Sequence, residues 1–171
     1  MSILKVDTIN EKTSGNGVEI AHALKGSGIA GHVKQVQING SSGYTVMTST
    51  TMTDALTCSI TPSSTSSKIL VMMNLNGITV GNNSAWMKLE LYRDSTLIRN
   101  VSGICGYSVS HIHYNTDLSY NFLDDAVSTT SAVTYRLKYG ASGSSVSVAF
   151  NNYGASNNTT SSAMTLMEIA G

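Results

Sequence analysis

The chain is short of charge, cysteine, proline and aromatic rings. Only 12% of its 171 residues are Asp, Glu, Lys or Arg, about half the share of an ordinary globular protein. Ten basic and ten acidic side chains cancel. That balance argues against a nucleic-acid partner, because such binders work by neutralising phosphates with a basic surface. Two cysteines, Cys58 and Cys105, stand too far apart for a CxxC motif and are too few for a disulfide scaffold; they read as buried free thiols. No apolar run approaches the roughly 20 residues of a membrane helix, so no membrane insertion is expected. The opening MSILKVDTINEK has neither a basic n-region nor an apolar h-region and does not read as a signal peptide.

What is abundant is hydroxyl and amide: 26 serines, 19 threonines and 14 asparagines. Thr favours strands, whereas Ser, Asn and Gly favour turns. With 41% hydrophobic residues the chain has enough apolar surface to fold, and its length suits one domain plus a short extension.

The apolar residues follow period two. Leu56, Cys58 and Ile60 alternate with Thr57 and Ser59; Met87, Leu89 and Leu91 with Lys88 and Glu90. Leu118, Tyr120 and Phe122 repeat the pattern, as do Val133, Tyr135, Leu137 and Tyr139, and then Val146, Val148 and Phe150. A strand gathers each set on one face; a helix would scatter it. Ile69–Met73 and Met164–Ile169 are apolar on both sides and predict central strands covered on both faces. Val33–Ile38 is a weaker strand. The sum is an all-β, antiparallel β-sandwich of about eight strands, jelly-roll-like. Arg93-Asp94-Ser95-Thr96 predicts a hairpin loop with Asp94 available for an Asx-turn. Pro62 should stop the strand before it, opening the polar connector Thr61–Ser67. Gly81-Asn82-Asn83 and Asn151-Asn152-Tyr153-Gly154 predict loops. Val18–Leu24 fits a short helix or a strand.

Residues 1–31 contain no aromatic residue and cannot build a core alone. They predict an attachment or stem segment with a Gly-rich hinge at Lys25–Gly31, and residues 32–171 the head. Within that hinge Gly26, Gly28 and Gly31 spell GxGxxG, but no βαβ unit surrounds them, so a linker is expected and not a dinucleotide site.

Few motifs carry chemistry. His111 and His113 flank one residue, which on a strand puts both imidazoles on one face. One pair is a weak metal site, but three copies on a threefold axis would offer six imidazoles to a transition metal. Otherwise no cofactor is expected. Asp117, Asp124 and Asp125 cluster, as do Glu90 and Asp94; a solvated strand edge is the expected reading against a hydrolytic carboxylate pair. The sequons at Asn82 and Asn100 are chance products of composition. Trp86, Tyr107 and Tyr153 lie among Gly, Ser and Asn, with Asn82 and Asn83 close in sequence. Rigid amphipathic rings beside adaptable amides suit a recognition surface, with sugars stacking on the rings.

Leu4-Lys5-Val6-Asp7-Thr8-Ile9, Gly17-Val18-Glu19-Ile20, the stretch Ser59–Val71, Leu91–Thr96 and the ending Met164–Gly171 resemble phage tail-fibre-like virion proteins, especially those of marine and cyanobacterial phages. The resemblance implies a homotrimer made in the bacterial host cytoplasm. Residues 1–31 would join virion tail or capsid proteins, and an outward β-sandwich head would bind a host-surface glycan or protein. It also implies His-x-His pairs around axial metal ions, a pattern that His111 and His113 match. A capsid-decoration or head-fibre protein is the alternative, and a small polysaccharide depolymerase the third reading. Depolymerases need a longer scaffold and paired carboxylates, so no catalysis is expected.

Overall fold

In the computed structural model, residues 31–81, 85–101, 104–106, 116–152 and 160–171 are described. In chain order the strands are β1 (Val33–Ser41), β2 (Thr45–Met47), β3 (Thr53–Ile60), β4 (Lys68–Val80), β5 (Ala85–Arg93), β6 (Thr96–Asn100), β7 (Ile104–Gly106), β8 (Thr116–Asp124), β9 (Val133–Ala141), β10 (Val148–Phe150) and β11 (Ser162–Ile169). Eight are long and three are three-residue pairings. All pair antiparallel.

One sheet runs β1-β11-β4-β8, with β10 and β2 continuing from the far end of β4; the other runs β3-β9-β5-β6, with β7 beside β5. Numbered 1 to 8 along the chain, the long strands take the orders 1-8-3-6 and 2-7-4-5. That is the order of a jelly roll, in which the chain wraps as a folded hairpin so that strands distant in sequence become sheet neighbours. Alternation fills the space between the sheets. Leu56, Ile60, Ile69, Val71, Met73, Met87, Leu89, Leu91, Tyr135, Leu137, Met164 and Leu166 are all buried in one core. Cys58 is buried with them, and burial pushes its thiol above the usual range despite the Ser59 backbone hydrogen bond.

The expectation for Ile69–Met73 and Met164–Ile169 is met by half. Both strands are central, β4 lying between β11 and β8 and β11 between β1 and β4. Among the described residues nothing covers their second face: Leu70, Met72, Thr165, Met167 and Ile169 stay half-exposed. Apolar residues on both sides of a strand report that both faces avoid water, and among the described residues only one of them does.

Three buried polar knots hold the sandwich shut. On β8, Asp124 accepts from Arg93 Nη1 on β5 at 2.9 Å through both oxygens, from the Tyr135 hydroxyl on β9 at 2.8 Å and from the Ala126 N–H at 3.2 Å. Burial first, and then the Asp124 carboxylate, push the Tyr135 phenol above its ordinary range. The solvated edge expected at Asp124 is thus replaced by a bridge between the sheets, because one buried carboxylate satisfies the buried Tyr135 hydroxyl and the half-buried Arg93 guanidinium. The second knot is Glu168 on β11, fully buried, which accepts from Ser67 Oγ at 2.6 Å, Ser63 Oγ at 2.7 Å, the Ser63 N–H at 2.8 Å and Gln35 Nε2 at 2.7 Å. The Thr61–Ser67 connector is the lid of this carboxylate. The third is Asn151, which donates to Ser41 O at 2.9 Å and accepts from Ser162 Oγ at 2.6 Å. Its φ of +59° is one that Asn tolerates better than most side chains. Beside it Gly77 takes φ +59° at the β4 irregularity, where an added Cβ would collide with the backbone of Asn152.

Asp94 makes no Asx-turn here. It takes φ +53°, and its carboxylate accepts the Thr134 N–H of β9 at 2.9 Å while its own N–H donates to Thr134 O at 2.7 Å. The hairpin is therefore tied to its neighbour strand instead of to itself.

Candidate functional site

Of the residues singled out for recognition or metal binding, Trp86 is described; Asn82, Asn83, Tyr107, Tyr153, His111 and His113 lie outside the described residues, as do Gly26 and Gly28. Trp86 is the second residue of β5. Ala85, Met87, Leu89 and Leu91 turn inward, so alternation sends Trp86 to the outer face of the five-stranded sheet, where it is 42% exposed. Its backbone is fixed on both sides. The Trp86 N–H donates to Ser142 Oγ at 3.1 Å, the Ser142 N–H donates to Trp86 O at 3.1 Å, and Trp86 pairs with Cys105 of β7. A large ring is thus held in water by a rigid strand end, an arrangement that suits stacking with little ordering cost on binding.

The rest of that outer face is charged and internally paired. Lys138 Nζ lies 3.2 Å from Asp54 Oδ1 and 5.4 Å from the centre of the Tyr92 ring. Arg136 also reaches Asp54, and the Tyr92 hydroxyl donates to Glu90 Oε2 at 2.8 Å. Of the acids expected to cluster, Asp117 accepts the Gly77 N–H, Asp94 the Thr134 N–H and Glu90 the Tyr92 hydroxyl, while Asp124 holds one buried knot; Glu168, outside both clusters, holds another. Burial raises the Glu168 carboxyl, but hydrogen bonds from Ser67, Ser63 and Gln35 outweigh it and lower the group from 4.5 to about 2. A carboxylate so held stores no proton at neutral pH, and its oxygens already carry four donors.

The outer face of the six-stranded sheet is of the opposite kind, and reading the residues did not find it. On β1 the amides turn inward: Gln35 Nε2 donates to Thr61 O at 2.6 Å and Asn39 Nδ2 to Thr57 O at 2.8 Å. Val36 and Ile38 therefore point away from the core, 50% and 70% exposed. Strand register aligns Val36 with Met167, Leu70 and Leu123 in one row, and Ile38 with Thr165, Met72 and Asn121 in the next. Its signal in the sequence is the apolar second side of Ile69–Met73 and Met164–Ile169, which by pattern alone is the same as that of a strand buried on both faces.

No protein-family model matches the chain, and no curated protein matches it in sequence. Among solved structures it is similar to a chain in the structure of infectious bursal disease virus Gx strain, at 10% identity and a TM-score of 0.38 over 81% of this chain. The match spans 37% of that viral chain, and a likeness of this extent carries no argument about function.

Proposed function

We propose that the chain is a structural virion protein, a tail-fibre-like attachment protein assembled in threes, whose jelly-roll head binds a host-surface receptor, a glycan in the first instance, without catalysis. Residues 1–31 join it to the particle. The observation that carries the reading is Trp86: an exposed indole on a strand end whose backbone is locked by Ser142. An indole on a rigid support is what a sugar ring stacks upon. The engagement of Asp54, Glu90, Asp94, Asp117, Asp124 and Glu168 in structural bonds supports binding over hydrolysis, which needs two carboxyls free to exchange protons with substrate.

The test is the fluorescent full chain on an array of bacterial surface polysaccharides. The wild type should bind a subset of them, and Trp86→Ala should lose at least about tenfold in affinity, the size of one lost ring contact, with an unchanged melting temperature. Binding untouched by Trp86→Ala would overturn the assignment of the site; silence of the wild type on every glycan would overturn the glycan.

A further inference from the structure

We infer that the outer face of β1, β11, β4 and β8 is where copies of this chain meet. The inference deepens the proposed function, resting on its three-copy assembly but not on its receptor. Its basis is the inverted amphipathicity of β1. An edge strand that turns Gln35 and Asn39 towards the opposite sheet and its connector and offers Val36 and Ile38 to water gains nothing from that arrangement as a single copy. The row Val36–Met167–Leu70–Leu123 is apolar across four strands, and the row below it adds Ile38 and Met72. Contiguous apolar rows of this kind mark a face that is covered in the working state.

Size, charge and contrast identify a second copy as the cover. Four strands about 4.8 Å apart, with about seven residues each at about 3.4 Å, project roughly 450 Å² per copy; three such faces turned towards one threefold axis remove roughly 1,350 Å² from water together. The two rows themselves bear no charge, Lys68 lying in the adjoining row with Val33 and Ile169, and the chain itself is neutral, so like copies approach without strong repulsion. Residues 1–30, another conceivable cover, carry Lys5, Lys12, Lys25, Asp7, Glu11 and Glu19, a poor match to an uncharged surface. The opposite face of the sandwich, with Lys138, Arg136, Asp54 and Glu90 paired on it, is dressed for water. Burying the rows also shields the neighbouring β1 edge, which lacks a strand partner among the described residues and would otherwise invite uncontrolled pairing.

The experiment measures the mass of the full chain by light scattering at micromolar concentration. The wild type should weigh three times its 18.0 kDa. The double variant Val36→Lys with Ile38→Lys should fall to a single chain while keeping its strand dichroism, and Leu97→Lys, an exposed apolar position on the other sheet, should keep the wild-type mass. A double variant that stays assembled overturns the inference and leaves the three-copy reading standing; a wild type that runs as one chain overturns both. Should the double variant not fold, hydroxyl-radical footprinting of the wild type decides. Met72 and Met167 should be protected at micromolar concentration and oxidised on dilution, with Trp86 labelled throughout. Protection that ignores dilution means that residues 1–30 of the same copy cover the face, and overturns the inference.

Discussion

At the residue scale, Glu168 shows how a protein poor in charge uses the charge it has. A carboxylate wholly removed from water is costly unless its lone pairs are filled. Ser63, Ser67 and Gln35 fill them from two separate segments, so the carboxylate joins β11 to the connector before β4. Its folded-state value near 2 lies below the ordinary 4.5. The sign follows: the unfolded state binds the proton more readily, so the stabilisation is complete above about pH 4.5 and is lost as the pH falls towards 2. The shift corresponds to about 3 kcal/mol. Urea unfolding at pH 7 and pH 3 should show wild type losing much of that amount, whereas Glu168→Gln, less stable at pH 7, should lose distinctly less on acidification. Equal losses in the two proteins would mean that other carboxyls carry the acid sensitivity. The connector Thr61–Ser67 looked like a bland polar loop in the sequence because nothing local shows that its hydroxyls face a residue about a hundred positions away.

At the element scale, β4 is the organising strand. For its first half it is flanked by β11 and β8, and beyond the irregularity at Leu75–Ile78 it pairs with β10. Gly77 makes that change of partner feasible. Its φ of +59° suits a residue without Cβ, its N–H is taken by Asp117, and the Asn152 N–H donates back to Gly77 O at 3.1 Å. Gly77→Ala should cost more than about 2 kcal/mol, from the left-handed backbone and the collision with Asn152 together. Gly43→Ala is the control, since a Cβ there meets nothing within 4 Å and should be close to neutral. Melting temperatures of the two variants check this; equal effects would refute the role given to Gly77. The strands themselves were readable because period two belongs to the strand alone. The three-residue pairings β2 and β7 are too short to show a period, whereas β10, equally short, was legible through the alternation of Val146, Val148 and Phe150.

At the scale of the whole molecule, the two outer faces divide the work. One carries ion pairs and Trp86, the other an apolar row and a second row in which Ile38 and Met72 alternate with Thr165 and Asn121, neither row bearing a charge. If copies meet through the apolar face, unfolding is linked to dissociation, and the midpoint must rise with concentration. Calorimetry of the wild type from 1 to 100 μM, a hundredfold range that enters the midpoint through its logarithm, should show a steady increase of several degrees. The Val36→Lys, Ile38→Lys double variant should melt at one temperature throughout. A concentration-independent wild type would count against any assembly through this face.

The sequence by itself determined the class of the protein. Alternation specified antiparallel strands, and hydroxyl and amide clusters specified their ends. Those properties are local, and a few consecutive residues suffice to express them. The order 1-8-3-6 against 2-7-4-5, the bridge from Asp124 to Arg93 and Tyr135, and the outward turn of Val36 and Ile38 were decided only in three dimensions. Alternation says that a strand has two unlike faces, but which of them meets the core depends on what the strand packs against, and for β1 that was the carbonyl of Thr57 on β3 and of Thr61 just beyond it, acceptors for Asn39 and Gln35.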